Sequence, residues 1–273
     1  MNSQPDNSQP QPQRQSGTST GTGDPSQDKH SADVGLICVH GGEIRPLLKR
    51  LNRVRKYVEN GCVFRGGFLE ETVRVACVEA RTGFARHRNA TQTLIREHHP
   101  AWVISVGYSS GLSSDLKTGD LVMATEISDT HGNIIPVKCP IPGSRRVHKG
   151  RFVVADEHPM TPEAKQKLAE SSGAICTDTV SLAAAQICQE TGTRFLAIRT
   201  ILDEAGEGIP QQAAGLMFDA NSRAIGTALA TLTRGLRQAG ILYDWRKRAT
   251  ASSDHLDRFV AGVILRISDQ LHR

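Results

Sequence analysis

Short apolar segments alternate with amphipathic ones along this chain, and this alternation constrains its fold more than any other feature. Buried strands are predicted at residues 34–39, 102–106, 121–127, 152–155 and 194–202. Helical spacing of apolar residues predicts helices that begin at Glu43 and that span 86–98, 162–171 and 182–191. Residues 62–68 and 72–78 predict a hairpin. The pattern predicts an α/β fold in which helices flank a twisted, mixed β-sheet.

The chain of 273 residues is long enough for one sizeable core. Residues 1–33 are predicted to be a disordered tail, because 2–33 contain no Val, Ile, Leu, Phe, Tyr or Trp and cannot offset the entropy of folding. A single domain is predicted over 34–245. A helical extension follows at 246–273, with a helix over 253–271. After Pro210 the pattern is helical to about Gln238.

The composition excludes several classes of protein. The formal net charge is +5, but the basic clusters lack interleaved aromatic residues, so no nucleic-acid partner is predicted. No apolar run approaches the roughly 20 residues of a membrane span, and no secretory signal begins the chain, so a cytoplasmic location is expected. The six cysteines have no C-x-x-C spacing, which favours buried thiols. No metal or organic cofactor is predicted.

Polar residues follow three of the predicted strands. Glu43 follows the first, the loop 107–111 follows the strand at 102–106, and Asp203 ends the strand at 194–202. Ligands of α/β sheets bind beside the carboxyl ends of strands. The functional site is therefore expected where these residues meet.

Five segments carry a family resemblance: VGLICVHGGEIRPLL, GCVFRGGFLEETVRV, PAWVISVGYSSGLSSDLKTGDLVMATE, AICTDTVSLAAAQIC and RFLAIRTILDEAG. In this order they resemble the core of the methylthioadenosine/S-adenosylhomocysteine nucleosidases, within the purine and uridine phosphorylase superfamily. Residues 202–232 also resemble the hopanoid-associated phosphorylases. The resemblance implies a phosphorylase-type domain, an adenine-type nucleoside as substrate, phosphate as a possible second substrate, and a homodimer.

Cleavage of an N-glycosidic bond builds negative charge on the leaving base, so an acid must protonate that base. By resemblance Asp203 occupies the acid position, and burial would raise its pKa. The alternative is an Asp that caps the next segment. Glu43 falls where the nucleosidases place the carboxylate that activates water. Its alternative is a Glu favoured by the dipole of a helix first turn.

The remaining candidate residues include departures from the family. Val180 stands where a Glu would hold the ribose hydroxyls, and Asp178 is the nearest substitute, although a helix cap is its expected role. Tyr108 replaces a small hydroxyl residue and could stack on a base or block the pocket. His158 falls near the base-stacking position, with surface exposure as the alternative. The substrate-binding set is Gly107, Tyr108, Ser109, Ser110, His158, Asp178, Thr179 and Val180.

A basic segment after the second strand of the hairpin is the candidate phosphate site. It contains Arg81, Gly83, Arg86 and Arg88 at a helix start, where backbone donors favour anions. A solvated helix start is the alternative, since Ser105 stands where classical phosphorylases carry a phosphate-binding Arg. The sequence thus predicts cleavage of the N-glycosidic bond by hydrolysis or phosphorolysis. A nucleoside-binding module with impaired turnover is the rival hypothesis.

Overall fold

The structure is a computed structural model that describes residues 31–211, 213–214 and 236–271. Most of the predicted tail, and most of the helical pattern after Pro210, lie outside these ranges. Of the tail's last residues, Ala32 is buried, and Asp33 accepts a hydrogen bond from the Arg74 backbone N–H at 2.8 Å. The folded part therefore begins before Val34.

Ten strands form one sheet. They are β1 (Val34–Cys38), β2 (Leu51–Glu59), β3 (Cys62–Leu69), β4 (Val73–Glu79), β5 (Trp102–Ser110), β6 (Leu121–Asp129), β7 (Ile134–Pro136), β8 (Val147–Val154), β9 (Cys176–Asp178) and β10 (Arg194–Asp203). The described helices are α1 (Arg45–Arg50), α2 (Phe84–His98), α3 (Pro162–Ser172), α4 (Ser181–Thr191) and α5 (Leu236–Leu271).

The sheet is mixed, in the order β2-β3-β4-β1-β5-β10-β6-β8-β9, with β7 beside β6. β1, β4, β5 and β10 run parallel, whereas β2–β3, β3–β4 and β6–β10 are antiparallel pairs. Among the central strands, β1 is buried along its whole length and β10 along all but its first two residues, as expected for strands covered on both faces. The predicted α/β fold with a mixed sheet is confirmed.

The structure differs from the sequence prediction at α1 and β2, and it adds the short strands β7 and β9. The apolar spacing predicted a helix through Leu51, but α1 ends at Arg50 and Leu51 begins β2. β2 was not predicted because seven of its nine residues are exposed, so it carries no apolar alternation. It is an edge strand, and it is held by its antiparallel ladder with β3.

The last helix is longer than the pattern predicted. α5 has 36 residues, and the predicted boundary between 245 and 246 falls inside it. Leu256, Val260, Ile264 and Ile267 form its buried stripe, at the spacing of one helical face. The helix packs against β10 and α1, so it covers one side of the sheet next to the strand ends. No helix in the described ranges is both long and apolar enough to cross a membrane.

Strand order brings three carboxyl ends side by side. β5 lies between β1 and β10 and is parallel to both. In the β5–β10 ladder the register shifts after Ile201, so Asp203 pairs with Ser110. Residues far apart in the sequence, at the ends of β1, β5 and β10, therefore meet at one edge of the sheet.

Candidate functional site

A small cavity lies at this edge of the sheet. Its lining residues are Val39, Glu43, Val106, Gly107, Tyr108, Ser109, His158, Thr177, Asp178, Thr179 and Arg199. Seven of the predicted site residues are among them. The cavity volume is about 10 Å³, close to the minimum for one water molecule, so a nucleoside can enter only if lining side chains move.

Asp203 lies beside this cavity and is fully buried. Its Oδ1 accepts a hydrogen bond from the Ser110 hydroxyl at 2.8 Å. Its Oδ2 is paired with the ammonium of Lys165, which is also fully buried. His158 connects the cavity to this pair, because its Nε2 lies 2.9 Å from the Ser110 oxygen. The contacts form one chain from His158 through Ser110 and Asp203 to Lys165.

Lys165 was not singled out in the sequence. It lies on α3, and its ammonium also donates to the backbone carbonyl oxygens of Glu204 and Glu207, both at 2.7 Å. Three acceptors therefore use its three N–H bonds. A lysine in an otherwise amphipathic helix is normally solvated, so nothing local distinguishes it. Only its burial beside Asp203 distinguishes Lys165 from a solvated lysine.

The environment shifts the pKa of two groups in this chain of contacts. Burial raises the pKa of the Asp203 carboxyl, while the charge of Lys165 and the Ser110 hydrogen bond act in the opposite direction. Burial, with help from the charge of Lys165, lowers the pKa of His158 to about 4, so its imidazole is neutral at pH 7. The site thus combines a carboxyl whose pKa is raised with a histidine that is neutral at pH 7.

Glu43 is buried in the turn between β1 and α1, and it lies before the helix rather than inside it. Its Oε2 accepts hydrogen bonds from the backbone N–H groups of Val39 at 2.9 Å and His40 at 3.2 Å. Its Oε1 accepts one from the Tyr108 N–H at 3.3 Å. A Cβ on Gly107 would stand 2.6 Å from Oε1, so only glycine allows the carboxylate to approach β5 this closely.

Asp178 and Arg199 form a buried ion pair on the opposite wall of the cavity, 3.0 Å apart. Asp178 also accepts hydrogen bonds from the backbone N–H groups of Val180 and Ser181, at 2.7 and 2.8 Å, which caps the start of α4. Burial alone would raise the pKa of Asp178, but Arg199 and these hydrogen bonds hold it below its usual value. Its Oδ1 is therefore occupied by backbone donors, whereas its Oδ2 faces the Arg199 charge without a hydrogen bond.

The guanidinium of Arg199 joins three elements. It donates to the Ser105 carbonyl and hydroxyl oxygens, each at 2.9 Å, and to the Ser181 hydroxyl at 2.5 Å. Arg199 was not among the predicted residues, because it lies inside an apolar strand whose only other signal is the family-like segment at 194–206. Val180 is buried at the beginning of α4 but does not line the cavity, whereas its neighbour Thr179 does.

Tyr108 and Ser109 are both engaged by other elements. The Tyr108 hydroxyl lies 2.5 Å from the Ser253 hydroxyl and donates to the Ala249 carbonyl at 3.2 Å, which ties the ring to α5. Burial raises the pKa of Tyr108. The Ser109 hydroxyl donates to the Thr177 carbonyl at 2.5 Å and joins β5 to β9. The Tyr108 ring thus forms part of the cavity wall under α5.

None of the candidate anion-binding residues lines the cavity, although the Arg81 backbone N–H donates to the carbonyl oxygen of the lining residue Val39 at 2.8 Å. Arg81, Gly83 and Arg86 are exposed, and Arg86 lines a separate depression with Cys62 and Phe64. Arg88 donates to Gln186 at 2.7 Å and is paired with Glu190 at 2.9 Å, which joins α2 to α4. No hydrogen bond or ion pair joins the described side chains of these residues to Asp203 or Glu43.

The described residues contain no group of His, Cys, Asp or Glu that could hold a metal ion. All six cysteines are free, and all but Cys139 are buried. Burial raises the pKa of Cys77 to about 12, so its sulfur stays a thiol at pH 7.

A model of the phosphorylase superfamily matches residues 33–142 and 142–236. The chain belongs to this superfamily. Over 184 residues it is 24% identical to a 5'-methylthioadenosine/S-adenosylhomocysteine nucleosidase of Thermotoga maritima, a match that covers 60% of this chain and 81% of the relative. The resemblance noted in the sequence is therefore confirmed at the level of the family.

Two solved structures from Helicobacter pylori share the fold. A 5'-methylthioadenosine/S-adenosylhomocysteine nucleosidase with a bound immucillin superposes with a TM-score of 0.62 at 17% identity, covering 84% of this chain and 98% of the other. A futalosine hydrolase gives a TM-score of 0.62 at 16% identity, covering 84% and 97%. At such identities the similarity concerns the fold, so the reaction must be argued from the site.

Proposed function

We propose that this protein is an enzyme that cleaves the N-glycosidic bond of an adenine-type nucleoside, with water as the nucleophile. One observation carries the proposal: Asp203 is a buried carboxyl with a raised pKa at the end of β10, and it pairs in the ladder with Ser110, the last residue of β5. The relatives named above support the class of reaction, and the residues below support the mechanism.

Asp203 is the proposed general acid. As the bond between C1' of the sugar and the base nitrogen breaks, electrons move into the base, and Asp203 donates a proton to a base nitrogen. A carboxyl can do this near pH 7 only when its pKa is raised, as burial does here. Ser110 and Lys165 hold both carboxyl oxygens in place. The spent carboxylate is then stabilised by the Lys165 charge.

Glu43 is the proposed general base. Three backbone N–H groups fix its carboxylate at the end of β1, across β5 from Asp203. A water molecule beside it would lose its proton to Glu43 while its oxygen forms the new bond to C1'. Two carboxyl groups, one acid and one base, on opposite sides of the reacting carbon are also the arrangement that inverting glycosidases use.

Water is preferred to phosphate because the cavity offers no free cation. Arg199 is the one permanently charged cation among its described lining residues, and Asp178 neutralises it. None of the residues of the alternative phosphate segment lines the cavity, and Arg88 is committed to Glu190. Among the described lining residues, a divalent anion would therefore have no uncompensated positive partner.

The proposal is tested by incubating the protein with a panel of nucleosides, with and without phosphate, and separating the products by chromatography. We expect release of free adenine-type base and free sugar without phosphate. Asp203→Asn should lower turnover about 100-fold or more, and Glu43→Gln should lower it similarly. Asp269→Asn and Glu170→Gln change exposed carboxylates and serve as matched controls.

Each other outcome of that experiment contradicts one part of the proposal. Full turnover by Asp203→Asn would remove Asp203 from the mechanism. Production of sugar phosphate only when phosphate is present would replace water by phosphate. Release of base from pyrimidine nucleosides alone would refute the proposed substrate class.

The rival function is a nucleoside-binding protein with impaired turnover, and two observations favour it. Val180 is apolar and buried where a ribose-binding carboxylate is expected from the resemblance, and the cavity is about 10 Å³. This rival predicts nucleoside binding in calorimetry with no base released. We also propose that the wild-type protein is a homodimer, which size-exclusion chromatography tests. We further propose a cytoplasmic location, which cell fractionation tests.

A further inference from the structure

A second, open cleft of about 970 Å³ lies between the loops 115–120 and 144–146 and the α5 segment 247–255. Basic side chains dominate its walls, which carry five Lys or Arg residues and two Asp residues. These charged residues are Lys117, Arg145, Arg146, Lys247, Arg248, Asp115 and Asp120. The cleft shares no lining residue with the cavity beside Asp203.

Two of the five cations already have carboxylate partners outside the lining. Lys117 is paired with Glu204 at 3.0 Å, and Arg248 is paired with Glu207 at 3.1 Å. One of the two lining carboxylates, Asp120, accepts the Lys117 backbone N–H at 2.9 Å and lies 3.3 Å from His148. The local carboxylates are therefore largely committed.

Arg145, Arg146 and Lys247 differ from Lys117 and Arg248 in their ion pairing. They are exposed, and within the described part of the chain no carboxylate lies at ion-pair distance from any of them. Like charges that line one concave surface repel each other and focus a positive potential into it, which attracts an anion. Two of the three are arginines, whose planar guanidinium groups match phosphate oxygens in pairs.

The shape and the lining indicate what kind of anion fits. The volume is in the range of small-molecule sites, and no aromatic side chain lines the cleft on which a nucleic-acid base could stack. Trp245, the nearest tryptophan in the chain, is buried, and its ring is covered by Arg248 at 5.7 Å. Recognition would therefore act through charge, on a compact chain of phosphate groups.

We propose that this cleft is a binding site for a polyphosphate chain, held by Arg145, Arg146 and Lys247. The shared chemistry is that of linked phosphates, which either inorganic polyphosphate or the triphosphate of a nucleotide can supply. The inference does not depend on the reaction proposed for Asp203, because it concerns a separate set of side chains.

The test is isothermal titration calorimetry on the full chain at low salt, without divalent cations, with tripolyphosphate and ATP as separate probes. We expect tripolyphosphate to bind. The Arg145→Ala/Arg146→Ala variant should bind it at least about 100-fold more weakly, since it loses two charge-assisted contacts that are each worth about tenfold or more. Arg258→Ala/Arg266→Ala removes two exposed arginines of α5 outside the cleft and should leave the affinity nearly unchanged.

Equal affinities for tripolyphosphate and ATP would assign recognition to the phosphate chain, and tighter binding of ATP would assign the site to nucleotides. Three outcomes would overturn the proposal. In the first, neither probe binds. In the second, both double variants weaken the binding of tripolyphosphate equally. In the third, a DNA duplex binds more tightly than tripolyphosphate and competes with it.

Discussion

Replacing Lys165 by Met gives the sharpest test of how Asp203 is held. The substitution keeps the length and apolar stem of a fully buried side chain but removes its charge and three N–H donors. Removing one partner of a buried ion pair costs about 3–5 kcal/mol. The carbonyl oxygens of Glu204 and Glu207, each now 2.7 Å from the ammonium, also lose their donor, at about 1–3 kcal/mol for each buried unsatisfied group.

The cost should depend on pH, and the sign follows from Asp203. Its pKa is raised by burial, and Lys165 is the main influence that lowers it, so the variant should have a still higher pKa. A carboxyl whose folded pKa lies above its unfolded value of about 3.9 holds more protons when folded. Stability then falls as pH rises from about 4 to the folded pKa, by up to about 1.4 kcal/mol per pH unit.

Urea denaturation of Lys165→Met and wild type between pH 4.5 and 8 measures this difference. We expect the variant to lose about 5 kcal/mol or more at pH 8, where the ion pair and both carbonyl contacts count. At pH 4.5 the loss should shrink towards the carbonyl contribution alone, which is about 2–6 kcal/mol. In turnover, the basic limb of the pH profile should move to higher pH.

Lys117→Met is the matched control. Its ammonium is paired with Glu204 at 3.0 Å, but its side chain is 65% exposed, so the loss should be within about 1 kcal/mol at every pH. A Lys165→Met difference that is the same at pH 4.5 and pH 8 would show that Asp203 does not take up a proton. That result would refute the argument for its role as an acid.

Three further variants probe the rest of the site. Gly107→Ala should lower turnover about 100-fold, because its Cβ would stand 2.6 Å from Glu43 Oε1 and displace the carboxylate. Gly262→Ala places its Cβ in open space and should leave turnover unchanged. Equal turnover of the two variants would show that Glu43 takes no part in the reaction. Val180→Glu should raise turnover of ribonucleosides up to about 100-fold if its carboxylate reaches the sugar hydroxyls, with Val180→Leu as the control. If the folded variant shows no gain, the ribose must bind at another position. Asp178→Asn should lower the free energy of unfolding by about 3–5 kcal/mol in urea denaturation at pH 7, because Arg199 loses its charged partner. The difference from wild type should fade below about pH 4, as the wild-type carboxyl, with its lowered pKa, also becomes protonated. A loss that persists unchanged at pH 3 would contradict the ion pair.

The sequence by itself determined the class of fold and the edge of the sheet where the site lies. Apolar periodicity is local, so the strands at Val34–Cys38 and Arg194–Asp203 could be predicted without any knowledge of their neighbours. The positions of Glu43 and Asp203 at the ends of those strands followed directly. The sequence also predicted that Asp178 caps α4, because capping depends only on the next few residues.

Only the tertiary structure decided which side chains surround the carboxyl groups. Lys165 and Asp203 are 38 residues apart, and Arg199 reaches Ser105 across 94 residues, so no local pattern relates them. The same holds for Tyr108, whose hydroxyl meets Ser253 of α5, and for the exposed strand β2, which exists because β3 offers it a ladder. A buried charge is tolerated only where distant elements supply its partner, and which elements supply it depends on how the strands and helices pack.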